Sequence, residues 1–288
     1  MLQTGREFFD NRKGIFMKKM LFVAMQAALL SGSAFAGASF TNGGFENGNL
    51  DGWQYSSDGG TANWQTLAAG ATSFASSSNG GLSSLLVTPG ADPIVGINRT
   101  YGGSYGVRVG DSLAWGYGGG GTIYNRIQQT ATVTAEASGG PGFLYFAWAA
   151  VEEISGHSTT QTPYFSVSVN NITQNSNLYS VAHYETDGGA WVSSGSWKYS
   201  SNSNPSDPLG WNVVSLDLAA LGVSVGDSLT LEAIARDCTP SAHAMYVYLD
   251  GFGGTPPVIG TVPEPVSLAL VGLGLLGIGA ARRRCLPV

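Results

Sequence analysis

Cysteine is almost missing from this chain of 288 residues: only Cys238 and Cys285 occur. A disulfide-stapled scaffold is therefore excluded, and stability must come from a hydrophobic core, which a chain of this length can bury. Positive charge is scarce as well. Residues 37–262 carry 5 Lys or Arg against 16 Asp or Glu, a net charge of −11. So few cations cannot neutralise a phosphate backbone, which excludes nucleic acid as a partner. The familiar catalytic patterns are absent too. His157, His183 and His243 show no zinc spacing with one another, such as HExxH, and there is no G-x-S-x-G elbow. The glycine-rich run 116–121 lacks the Lys-Ser/Thr of a phosphate-binding loop. Glu152 and Glu153 are adjacent, so on a strand they would point to opposite faces and could not work as a pair. The residues give no reason to expect an enzyme.

Long apolar runs are confined to the two ends. Near the start, Met17-Lys18-Lys19, the apolar stretch 20–30 and Ala34-Phe35-Ala36 read as a secretory signal peptide. Cleavage by signal peptidase is expected after Ala36, with Ala34 and Ala36 as the small residues at the cut. The polar segment 1–16 is unlike the start of such a signal and points to Met17 as the true start. An N-terminal membrane anchor is the alternative, against which the run is short and ends in small residues. At the other end Val262-Pro263-Glu264-Pro265 precedes the uncharged run 266–281, and Arg282, Arg283 and Arg284 follow it. The run would make a helix of about 24 Å, slightly short for a ~30 Å hydrocarbon core, and the arginines would hold its end on the cytoplasmic side. A buried core helix is the alternative, against which three arginines end the run abruptly.

The order of these three parts resembles the PEP-CTERM sorting signal of Gram-negative bacteria. The resemblance implies an exosortase as partner, processing at residues 262–265 and transient anchoring in the inner membrane. It also implies release to the cell surface or an exopolysaccharide-rich biofilm matrix. The organisation expected is therefore a leader at 1–36, a domain at 37–254, a linker at 255–261 and a sorting signal at 262–284 with a transmembrane helix at 266–281. Once the tail is removed Cys238 has no intramolecular partner, which leaves a buried thiol or an intermolecular disulfide.

Between the signals, short runs rich in Val, Tyr, Phe and Thr alternate with glycine- and serine-rich turns, the pattern of an all-β sandwich or barrel. Strands are expected at 105–109, 123–133, 143–149, 164–169, 211–218, 229–235 and 245–250. The run 143–149 is apolar on both faces and so central. Asn42-Gly43-Gly44-Phe45-Glu46 with Gly52-Trp53 opens the domain, and Asp237-Cys238 with the run 246–252, YVYLDGF, closes it. With residues 104–109 and 127–130 between them, these motifs resemble the galactose-binding-like jelly rolls of bacterial carbohydrate-binding modules. The resemblance implies a single jelly-roll β-sandwich whose first and last strands are neighbours. It also implies a structural Ca2+ held by Glu46 and Asp250, for which two carboxylates supply the hard oxygen ligands. The bland reading is that Glu46 accepts turn amides and Asp250 caps a loop.

A sugar site needs aromatic faces flanked by polar groups. Trp53, Trp148 and Trp211 lie in strand-like contexts and read as core. Trp115 and Tyr117 in a glycine-rich loop, with Trp191, Trp197 and Tyr199 in a polar loop, are the candidate carbohydrate platforms. The expectation is an exported surface or matrix protein with a non-catalytic, glycan-binding β-sandwich. A purely structural matrix protein is the alternative, and a polysaccharide-degrading enzyme with an unrecognised site the more distant one.

Overall fold

The computed structural model describes residues 40–56, 63–74, 84–112, 124–136, 140–158, 161–185, 190–201, 210–238 and 243–257. The leader with Ala34 and Ala36, the sorting signal with its expected helix, and Trp115 and Tyr117 lie outside them. Among the described residues no helix is long and apolar enough to cross a membrane. They are all-β. The strands are β1 (Gln54–Ser56), β2 (Gln65–Thr66), β3 (Ser73–Phe74), β4 (Ser84–Val87), β5 (Gly106–Gly110), β6 (Tyr124–Thr132) and β7 (Phe143–Glu153). After them come β8 (Tyr164–Asn171), β9 (Ser176–Tyr184), β10 (Trp191–Ser194), β11 (Trp197–Ser200), β12 (Asn212–Asp217), β13 (Ser228–Arg236) and β14 (Met245–Gly253).

Two antiparallel sheets form a sandwich. One runs β2-β1-β6-β13-β8-β9, the other β10-β11-β7-β14-β5-β4-β3. The long β7 organises the second sheet. One of its edges pairs with β14. The other is divided, with β12 opposite Phe143 to Trp148 and β11 opposite Val151 to Glu153.

The side-chain period of two explains the core. On β8, Phe165, Val167 and Val169 are buried between half-buried polar neighbours. On β13, Leu229, Leu231, Ala233 and Ala235 point the same way. Met245, Val247 and Leu249 of β14 join them, as do Leu144, Phe146, Trp148 and Ala150 of β7. Burying each large side chain contributes about 1.5–3 kcal/mol. The alternate residues of β7 and β14 are apolar too, because the outer face of the second sheet is also covered. Ala147, Ala149, Val151, Tyr246 and Tyr248 pack there against Ile97, Tyr101 and Trp211.

Asp92 pins this covering segment. Its Oδ1 accepts the amides of Ile94 and Val95, both at 2.8 Å, while its Oδ2 accepts the hydroxyls of Tyr246 and Tyr248, also at 2.8 Å. Burial, foremost, and the Asp92 charge push both phenols far above their ordinary range, so they stay protonated and keep donating.

The opening segment is a series of turns rather than the strand that the resemblance implied. Gly43 lies so close to β14 that a Cβ there would meet the Phe252 carbonyl oxygen at 2.0 Å, and the Phe252 N–H donates to Gly43 O at 3.1 Å. Phe45, Trp53, Phe146 and Phe252 then form one aromatic cluster, with Phe45 and Trp53 stacked at 5.1 Å. The beginning and end of the domain are therefore joined through side chains and one turn contact. Trp53, Trp148 and Trp211 are all buried.

Candidate functional site

Glu46 and Asp250 converge on one loop. Both carboxylate oxygens of Glu46 lie 3.0 Å from the Ser104 N–H, and Oε1 also accepts the Tyr105 N–H at 3.1 Å. From the other side, Asp250 Oδ2 accepts the N–H groups of Tyr101 at 2.9 Å and Gly102 at 3.0 Å. Gly103 makes the close approach possible: its φ is +60°, and a Cβ there would sit 2.2 Å from Glu46 Oε1. Asp250 follows Tyr246 and Tyr248 on the covered outer face of β14 and is itself buried. Burial pushes its carboxyl up to about 7, and the neighbouring Glu46 charge pushes in the same direction against the pull of the loop amides. The pair thus offers hard oxygen donors, and a cation between them would relieve their repulsion. These carboxylate oxygens accept loop amides, as the alternative reading of Glu46 and Asp250 expects, while oxygen donors of this kind are also those that Ca2+ takes.

The aromatic candidates are divided. Trp191, Trp197 and Tyr199 do not lie in a polar loop. They stand on the hairpin β10–β11, closed by a two-residue turn in which Gly195 takes the positive φ of 63° that such turns favour. Alternation sends Trp191 to the inner side and Trp197 and Tyr199 to the outer side. Trp197 packs at 6.2 Å against Tyr246, and Tyr199 joins the same outer cluster. Trp191 stacks on His183 at 4.3 Å, meets Phe165 edge-on at 6.1 Å, and has Lys198 Nζ 5.3 Å from its ring centre.

An open cleft of about 240 Å³ lies along Trp191. Trp148, Phe165 and Val181 give it apolar walls, while His183, Ser200, Ser201 and Asn212 supply polar groups. Trp148 is held in place by its indole N–H, which donates to the Tyr179 hydroxyl at 2.9 Å. Behind the cleft the fully buried Glu152 lies 3.1 Å from Lys198 Nζ and 3.4 Å from His183 Nε2. Glu153 points to the other face and accepts the Ala244 N–H at 3.2 Å. The two glutamates therefore do not share a site. Sequence reasoning missed the cleft because its walls come from six strands, β7 to β12, and neighbouring residues, none of which carries a local motif.

The class these features define is a two-sheet antiparallel β-sandwich with an acidic loop site and an aromatic-lined cleft. Its C-terminal residues 261–284 match the PEP-CTERM protein-sorting motif, which marks the chain as exported. No curated protein matches the chain.

Among solved structures it is similar to TmCBM61, determined with beta-1,4-galactotriose, at 12% identity and a TM-score of 0.36, over 75% of this chain and 95% of that one. It is also similar to CBM27-1 of Caldicellulosiruptor saccharolyticus, determined with mannohexaose, at 10% identity and a TM-score of 0.28, over 58% and 87% of the two chains. A third is an arabinose-bound MgGH51 α-L-arabinofuranosidase, at 9% identity and a TM-score of 0.30, over 78% and 29%. The fold assignment rests on the strand order and pairing described above.

Proposed function

We propose that this chain is a non-catalytic carbohydrate-binding protein of a Gram-negative cell surface or extracellular matrix, processed by an exosortase at Val262-Pro263-Glu264-Pro265. The observation that carries the binding reading is the cleft along Trp191. It combines an indole, apolar walls and the hydroxyl and amide groups that fix sugar hydroxyls. Its volume is below the ~300–1,000 Å³ of closed ligand pockets, which suits a single ring of a longer glycan rather than an enclosed small molecule. A structural Ca2+ at Glu46 and Asp250 would fix the 101–105 loop against β14. Arg282, Arg283 and Arg284 would retain the tail at the inner membrane until processing.

Electrophoresis of the full chain through gels containing exopolysaccharide tests the binding reading. Retardation that is lost in Trp191→Ala, with folding unchanged, supports it. Retardation lost instead in Trp115→Ala or Tyr117→Ala moves the platform to that segment. No retardation by any glycan favours the structural matrix protein, a reading supported by the packing of Trp191, Trp197 and Tyr199 against the core.

A further inference from the structure

The end of the sandwich where β7 leaves and β14 begins gathers three metal-ligating side chains from two parts of the chain. Cys238 ends the run after β13 and His243 begins the approach to β14, with four residues between them. The Cys238 N–H donates to His243 O at 3.0 Å, which closes the connection, and the His243 N–H donates back to Cys238 Sγ at 3.0 Å. The thiol sulfur then lies 3.2 Å from His243 Nδ1.

His157 arrives from β7. The antiparallel pairing of β7 with β14 sets Glu152 opposite Met245, and the Glu153 N–H donates to Ala244 O at 3.0 Å. Glu185 then holds the next turn, accepting the Ser155 N–H at 2.9 Å and the Gly156 N–H at 3.2 Å. That turn carries the His157 ring to 5.1 Å from His243. The sulfur and one nitrogen from each imidazole all lie within 4.8 Å of one another.

We infer that Cys238, His157 and His243 form a site for Zn2+. Zinc takes sulfur at about 2.3 Å and imidazole nitrogen at about 2.0–2.1 Å, which makes the tetrahedral S···N edge about 3.6 Å. The Cys238–His243 pair is already near that length, and His157 needs a shift of about an ångström. The soft thiolate and two imidazoles suit zinc and not calcium. The surroundings are acidic: Glu153 accepts the Ala244 amide, Asp237 accepts the Met245 amide at 3.2 Å, and Asp111 is close enough to act on Asp237. Cys238 is buried while both imidazoles are half-buried, so an ion enters from the histidine side and the fourth position falls to water. The ion would tie the connection from β13 to β14, which passes from one sheet to the other, to the end of β7, in a domain with no second cysteine to do so. It would also keep this thiol from oxidation outside the cell.

The test uses the full chain, stripped with chelator and titrated with Zn2+ against a chromophoric chelator, with Co2+ as the spectroscopic probe. Expected are one equivalent of tightly bound Zn2+ and a thiolate-to-cobalt charge-transfer band in the near ultraviolet. Cys238→Ser should abolish the band, and Cys285→Ser should keep it. His157→Ala and His243→Ala should weaken Zn2+ by about tenfold or more, since loss of an outer-shell partner alone costs that much. In the Cys285→Ser chain, Zn2+ should also slow the labelling of Cys238 by a thiol reagent, a readout that needs no change at the ligands. A band that survives Cys238→Ser, or labelling that Zn2+ leaves unchanged, overturns the site.

Discussion

Replacing Asp250 with asparagine separates the calcium reading from a merely structural one through the pH dependence of stability. Burial and the Glu46 charge hold the Asp250 carboxyl at about 7, against 3.8 when unperturbed. The folded state therefore keeps a proton that the unfolded state has lost. Such a group contributes stability that is complete below about pH 4 and is lost as the pH rises through 7. Between pH 5 and pH 8, a window chosen to avoid the titration of ordinary carboxylates, the loss is about 2.5 kcal/mol in chelator. For a domain of this size that is roughly 5–10 °C in Tm. Asp237, which burial pushes well above its ordinary value, slopes the same way, so the measured quantity is the difference between native protein and Asp250→Asn.

Calcium should reverse the effect. A bound cation stabilises the ionised carboxylate, so saturating Ca2+ raises Tm at pH 8 and flattens the slope, and at 100 times the dissociation constant it adds about 2.7 kcal/mol. Asparagine keeps one oxygen for the Tyr101 and Gly102 amides but cannot hold the charge. Thermal melts across this pH range, in chelator and in Ca2+, give all four curves. Equal slopes for native protein and Asp250→Asn refute the assigned burial of the charge. A normal slope with no response to Ca2+ leaves Asp250 as the anchor of the 101–105 loop alone.

Two further substitutions probe the scaffold around the site. Asp92→Ala strands the hydroxyls of Tyr246 and Tyr248 in the outer cluster and should cost about 3 kcal/mol or more in denaturant unfolding. Adding Tyr246→Phe should recover part of that loss, because it removes a stranded hydroxyl. Trp53→Ala empties the centre of the aromatic cluster that joins the domain's two ends and should cost about 3–5 kcal/mol, seen as an early urea midpoint.

The legible part of the fold was its long strands. All seven expected runs are strands, because each is long enough to show alternation or, in β7, a run buried on both faces. β1 to β4 are two to four residues long and carry no readable period. β9 is an edge strand with both faces partly exposed, so its pattern is weak. The β10–β11 hairpin did carry a signal, Ser194-Gly195-Ser196 between two Trp-led runs, but its serines read as loop. At the site, Glu46 and Asp250 come together through the Tyr101–Tyr105 loop, which no local spacing could reveal. The cysteine–histidine cluster was missed for a related reason. The histidines have no zinc spacing among themselves, while Cys238 and His243 are near neighbours in sequence and His157 reaches them only through the β7–β14 pairing.

The central position of β14 also fixes the order in which this protein can be finished. The strand that fills the gap between β7 and β5 is the last one in the described chain, and it pairs with both. Until residue 253 has been synthesised and has crossed the membrane, the second sheet is split down its middle. Both flanking strands then offer unpaired edges, and Met245, Val247, Leu249 and Phe252 are missing from the inner core. A nascent chain halted before residue 245 is thus a sticky intermediate rather than a smaller stable domain. Completion of the second sheet therefore requires that the chain has arrived as far as residue 253.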